Sequence, residues 1–196
     1  MRATRALRYA GGMLVCGVDE AGRGPIAGPV TAAAVILPAD FPKEVLADSK
    51  ALSPRRRERA EALIRARALA WATGWATPEE IDRLNIHQAT LLAMGRALER
   101  LKIRPDLVLV DGLFAPATPL PCRTIVRGDA SEAPIMAASI LAKTARDRWM
   151  RIYGRRRPEY EFERHKGYPT RRHRRLVLEH GLSPIHRRSF RISPPG

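Results

Sequence analysis

The chain has 196 residues, with 35 Lys and Arg against 20 Asp and Glu and a formal charge of +15. That length supports one good core and is short for two ordinary domains, so a single domain over residues 1–196 is expected. No apolar run approaches the ~20 residues a bilayer span needs, which excludes a membrane helix and leaves a polyanion as the expected partner.

Only two cysteines occur, Cys16 and Cys122, in apolar stretches and outside any CxxC or Cys/His ligand spacing. They read as buried, reduced thiols, and a cytoplasmic location follows as the simplest expectation. Residues 151–196 hold 13 Lys or Arg and four acids, so +9 of the +15 lies there. Part of this excess reflects a general use of Arg for Lys on solvated faces, and a basic face alone indicates affinity for nucleic acid, not catalysis. Residues 1–12, with Arg2, Arg5 and Arg8, form a basic leader too short for a transit peptide.

Residues 13–18 are an apolar run that ends on Asp19 and Glu20 and turns at once through Ala21, Gly22, Arg23, Gly24 and Pro25. The pattern predicts a strand whose twisted end brings two adjacent carboxylates toward one metal region. The glycines admit a ligand close to the backbone, and Arg23 adds a fixed cation. An acidic pair before a glycine turn is also common at ordinary strand ends, and taken alone that explanation wins. Residues 30–37, β-branched and apolar, predict a second strand beside the first.

Ser53-Pro54 caps a helix to about Ala68, and residues 70–76 predict a third strand. Thr77-Pro78-Glu79-Glu80 is a capping box, and Asn85 with Gln88 opens a helix to about Leu101. Residues 107–110 form a continuous apolar run, typical of a strand buried on both faces, that ends on Asp111-Gly112. Residues 122–126 repeat the pattern and end at Arg127-Gly128-Asp129. Apolar residues from Pro134 to about Tyr153 recur at helical spacing, and residues 170–180 form a short helix closed by Gly181. The sum is an α/β fold, a mixed sheet of about five strands flanked by helices, with a helical, basic C-terminal segment from about residue 155 packed on it.

Asp19, Glu20, Asp111 and Asp129 each fall at the carboxyl end of a predicted strand, where sites collect in open α/β sheets. Four carboxylates gathered there repel one another, so the cluster implies divalent metal. Two ions ~3.5–4 Å apart would activate water and stabilise the leaving oxygen of a phosphodiester. All-carboxylate ligation suits Mg²⁺ or Mn²⁺ and argues against zinc. Asp111-Gly112 and Gly128-Asp129 are each, alone, ordinary turn dipeptides.

The segments around these residues carry a resemblance. Gly17-Val18-Asp19-Glu20-Ala21-Gly22-Arg23-Gly24-Pro25 resembles the signature that opens bacterial type 2 ribonuclease H, ribonuclease HII. Asp48-Ser49-Lys50, Leu84-Asn85-Ile86, Leu109-Val110-Asp111-Gly112, Val126-Arg127-Gly128-Asp129, Ala137-Ala138-Ser139-Ile140-Leu141-Ala142-Lys143 and His165-Lys166-Gly167-Tyr168-Pro169-Thr170 follow in order, so the resemblance runs from about residue 16 to 190.

It implies a ribonuclease H-like fold and a metal-dependent endoribonuclease acting on the RNA strand of RNA/DNA hybrids, including single ribonucleotides in duplex DNA, leaving 5′-phosphate and 3′-hydroxyl ends. It further implies that Asp19, Glu20, Asp111 and Asp129 are catalytic ligands for Mg²⁺ or Mn²⁺. Gly22, Arg23 and Gly24 would sense the ribonucleotide 2′-hydroxyl, Tyr168 would stack on the sugar that follows, and Ser49 and Lys50 would contact backbone phosphate. Ser139 and Lys143, one helical turn apart, are placed to face the groove, where they position phosphate or simply pack.

For Tyr168 the ordinary alternative is a core tyrosine beside proline, and His165 reads as a satisfied structural histidine. Ala51 replaces a lysine that often follows Asp-Ser-Lys, residues 114–121 match no motif, and no clamp-binding motif is visible, which leaves recruitment by a sliding clamp unsupported; a monomer is expected. Charge alone also supports a non-catalytic nucleic-acid-binding protein. A Holliday-junction resolvase or a type 3 ribonuclease H is a further alternative, against which the Gly22-Arg23-Gly24 turn with Tyr168 favours type 2.

Overall fold

The computed structural model describes residues 12–46 and 53–192. Residues 1–11 of the basic leader and the Ser49-Lys50 segment lie outside the described residues. Five strands, β1 (Val15–Ala21), β2 (Val30–Ile36), β3 (Ala70–Ala76), β4 (Leu107–Asp111) and β5 (Cys122–Ile125), form one mixed sheet in the order β3-β2-β1-β4-β5. β1 is central: it pairs antiparallel with β2 and parallel with β4. The described helices are α1 (Pro54–Arg67), α2 (Pro78–Leu84), α3 (Ile86–Glu99), α4 (Ala133–Arg156), α5 (Phe162–His165) and α6 (Arg171–His180). None of them is long and apolar enough to cross a membrane.

Strand alternation sorts the two faces. Val30, Ala32, Ala34 and Ile36 of β2 pack with Ala89, Ala93 and Ala97 of α3, while Ala33 and Val35 pack with Ile64 of α1 and Ala137 and Leu141 of α4. The helices start where local chemistry satisfies their free N–H groups. Glu80 N–H donates to Thr77 Oγ1 at 3.2 Å and Thr77 N–H donates to Glu80 Oε2 at 2.9 Å, a reciprocal capping box. Asn85 Oδ1 accepts from Gln88 N–H at 3.0 Å.

Three features depart from expectation. β5 is an edge strand rather than one buried on both faces, so Arg123 and Thr124 are exposed and Cys122 is only half-buried. β1 starts at Val15, two residues late, and α4 outruns its expected span to reach Arg156. The segment after α4 folds back on it, burying Tyr160 and Phe162 against Met150 and Ile185.

This C-terminal segment is held by a chain of neutral histidines. His173 Nδ1 faces the Tyr168 carbonyl at 2.9 Å and must donate to it, so His173 Nε2 accepts from His186 Nε2–H at 3.0 Å. His186 Nδ1 then accepts from Ser183 N–H at 2.9 Å and from Ser183 Oγ at 2.8 Å. Burial, foremost, pushes His173 down to about 3 and His186 down to about 4, from an ordinary 6.5.

The unfolded chain therefore takes up these protons first, and the stability contributed is complete above pH 6.5 and is lost as pH falls through about 4 and 3. The thermal midpoint is expected to drop as pH falls below 6.5, and to drop less steeply in His186→Asn. Parallel pH profiles for the two proteins would contradict this account.

Candidate active site

Val18 of β1 lies opposite Val110 of β4 in a parallel pair, so the next residue of each strand, Asp19 and Asp111, emerges at the same sheet edge. Asp129 arrives from a 3-10 turn, Gly128–Ala130, entered through Arg127 in the left-handed region at φ 59°. Its backbone N–H donates to Asp111 Oδ1 at 3.2 Å. One carboxylate oxygen from each of Asp19, Asp111 and Asp129 lies within 4.8 Å of the other two. Asp129 thus joins the cluster from a turn beyond β5, not from the strand end itself.

Glu20 adjoins that trio. Its carboxyl interacts with the Asp19 side chain, and Arg23 Nη1 donates to its Oε1 at 3.4 Å. Its charge also reaches the cluster. Burial first, and then the Glu20 charge, raise the Asp19 carboxyl well above the usual range, against hydrogen bonds from Ser139 and from Glu20 N–H at 2.7 Å. Burial also raises Glu20, against Arg23. Burial and mutual repulsion both disfavour ionised carboxylates at this edge, and a bound cation would relieve both.

Beside the trio runs a groove of about 420 Å³ lined by Glu20, Gly22, Arg23, Gly24, Ser139, Lys143 and Tyr168, among others. Every expected substrate-contact residue within the described part of the chain therefore meets on one surface. Tyr168 is 39% exposed, which sets aside the core-tyrosine alternative. Lys143 Nζ lies 5.4 Å from its ring centroid and donates to Asp147 Oδ1 at 2.9 Å. His165 is satisfied as expected, its Nε2 facing the Tyr160 carbonyl at 2.7 Å and its Nδ1 accepting from Gly167 N–H at 3.2 Å.

Sequence reasoning missed three arginines. Arg57 of α1 also lines the groove, and nothing in the run Arg55-Arg56-Arg57 distinguishes it from its neighbours. Arg146 and Arg187 are fully buried behind the turn. Arg146 donates to the carbonyls of Pro29, Ala27 and Lys166 at 2.9–3.1 Å.

Acidic side chains gathered at the open edge of this sheet, beside a groove lined by Arg23, Arg57 and Lys143, mark the protein as a nuclease of the ribonuclease H-like class. A family model described as Ribonuclease HII matches residues 16–193. Ribonuclease HII of Dechloromonas aromatica (strain RCB) is 55% identical over 177 residues, covering 90% of each chain. The ribonuclease H2 from Pyrococcus horikoshii OT3 is 26% identical with a TM-score of 0.78, covering 91% of this chain and 94% of that one. Bst-RNase HIII in complex with Mn²⁺ shares the fold at 16% identity and a TM-score of 0.72, covering 97% of this chain and 71% of that one. The chain belongs to the ribonuclease HII family, whose members cleave the RNA of RNA/DNA hybrids and ribonucleotides in DNA.

Proposed function

We propose that Asp19, Asp111 and Asp129, flanked by Glu20, hold Mg²⁺ or Mn²⁺, and that the Gly22-Arg23-Gly24 turn with Tyr168 selects a ribonucleotide within a duplex. The convergence of three carboxylates within 4.8 Å carries this reading. The donor set fits such ions, since it consists wholly of hard carboxylate oxygens. A divalent ion bound there supplies Lewis-acid activation and offsets charge on the leaving oxygen.

The protein's own groups supply position. Glu20 and Ser139 adjoin Asp19 and also line the groove, so a phosphate held there lies against the acidic edge. Lys143, steered by Asp147, and Arg23 present cations to the nucleic-acid backbone. Tyr168 offers an exposed ring face to the sugar after the ribonucleotide. With the turn's amides engaging the 2′-hydroxyl, water is the nucleophile in line with the 3′-oxygen, and the products carry 5′-phosphate and 3′-hydroxyl. Internal attack by the 2′-hydroxyl would call for a general base such as histidine, and among the described residues no histidine lines the groove.

Cleavage of a duplex with one ribonucleotide, in Mg²⁺ and in EDTA, tests the function. Tyr168→Ala is expected to lower single-ribonucleotide cleavage by about tenfold, in line with the loss of one stacking contact, and to affect long hybrids less. Cutting in EDTA would contradict the metal assignment. An unchanged ratio between the two substrates would contradict the role of Tyr168.

A further inference from the structure

Arg187 lies in the last described stretch of the chain, far in sequence from the turn it underlies. Its side chain is fully buried, and the guanidinium sits inside an arch of backbone carbonyls. Nη2 donates to Gly22 O at 2.6 Å, Nη1 to Arg23 O at 2.9 Å and Pro25 O at 2.6 Å, and Nε to Gly28 O at 2.9 Å. Burial and the neighbouring Arg146 push Arg187 down to about 9, which leaves it charged at neutral pH. A charged, planar fork is the one side chain that can donate in these directions at once.

The geometry has a consequence on the other side of the backbone. In a planar trans peptide the carbonyl of one residue and the N–H of the next point in opposite directions. Drawing the Gly22 and Arg23 carbonyls inward therefore turns the Arg23 and Gly24 N–H groups outward, on the side of the turn away from the guanidinium.

We propose that Arg187 is a positioning residue for ribonucleotide selection, acting from beneath the turn by orienting its amide donors without touching substrate. The inference rests on the assignment of the turn as the 2′-hydroxyl sensor. The segment bearing Arg187 is itself anchored to α2, where Asp82 accepts from Arg188 N–H and Ser189 N–H, both at 2.9 Å, and from Ser189 Oγ at 2.6 Å. One arginine of the basic C-terminal segment thus serves specificity through the backbone, apart from any contribution to affinity.

The test is binding in EDTA of a duplex with one ribonucleotide and of the same duplex in all-DNA form, read by fluorescence anisotropy. Arg187→Lys keeps a cation without the fork. Its preference for the ribonucleotide duplex is expected to fall about tenfold, with all-DNA affinity held within about twofold. Asp82→Ala, which loosens the anchor and leaves Arg187 in place, is expected to shift the preference in the same direction and decides the matter where Arg187→Lys does not fold.

Gly24→Pro removes one amide. Loss of preference in Gly24→Pro, with preference intact in Arg187→Lys or, where that fails to fold, in Asp82→Ala, overturns the positioning role alone. Intact preference in Gly24→Pro overturns the sensor assignment, and the positioning role with it.

Discussion

Asp19→Asn is expected to lower cleavage of a single-ribonucleotide duplex by about 10³-fold, roughly 4 kcal/mol of transition-state stabilisation, while leaving the protein at least as stable as wild type. The two halves of this result have one cause. Asp19 is 5% exposed, and burial together with the Glu20 charge disfavours its ionised form. The native state therefore holds the Asp19 proton more tightly than the unfolded chain does, and metal-free stability falls as pH rises from the ordinary 3.8 toward the raised native value.

Asparagine keeps the oxygen that accepts from Glu20 N–H at 2.7 Å and removes the charge. Repulsion is relieved, and a ligand for the cation is lost. Thermal unfolding and single-turnover cleavage on the same preparation check both halves. A variant that keeps activity within about tenfold, or one that simply unfolds, would contradict the assignment.

Gly17→Ala is expected to destabilise the protein by about 3 kcal/mol, lowering the thermal midpoint by roughly 6–12 °C, and to depress activity as well. A Cβ at Gly17 would stand 2.0 Å from the Pro134 carbonyl carbon and 2.3 Å from Ile135 N. Both atoms belong to the backbone of the first turn of α4, so no rotamer change relieves the clash. α4 must lift from β1, and the Gly128–Ala130 turn just before it moves too, carrying Asp129 away from Asp19. Denaturant titration gives the stability, and unchanged stability would show that α4 is free to shift on the sheet.

The parts of this molecule legible in its sequence are those governed by local chemistry. The capping box at Thr77, the cap at Asn85, the apolar run of β2 and the carboxylates at the ends of β1 and β4 all follow from neighbouring residues. The gathering of Asp19 with Asp111 follows from two strand ends meeting at one sheet edge. The roles proposed for the turn and for Tyr168 are what the resemblance to ribonuclease HII implies.

What stayed hidden depends on the sheet order and on long-range contacts. β5 looks like β4 as a string of residues, and only its place at the end of the sheet exposes Arg123 and Thr124. Glu20 looks tied to Asp19 alone, but the turn after β1 also brings Arg23 Nη1 within 3.4 Å of its Oε1. Arg187 looks like one more cation in a basic tail, because the carbonyls it binds at Gly22, Arg23, Pro25 and Gly28 lie about 160 residues earlier. Arginine can be buried at such a place only where the fold brings it acceptors enough.

The most direct test of the central claim is calorimetric titration of Mn²⁺ into the wild-type protein and into Asp129→Asn, with folding of each verified by circular dichroism. The account predicts saturable binding by the wild type and its loss in the folded variant. Equal binding by both proteins, or none by the wild type, would contradict a metal centre built from Asp19, Asp111 and Asp129.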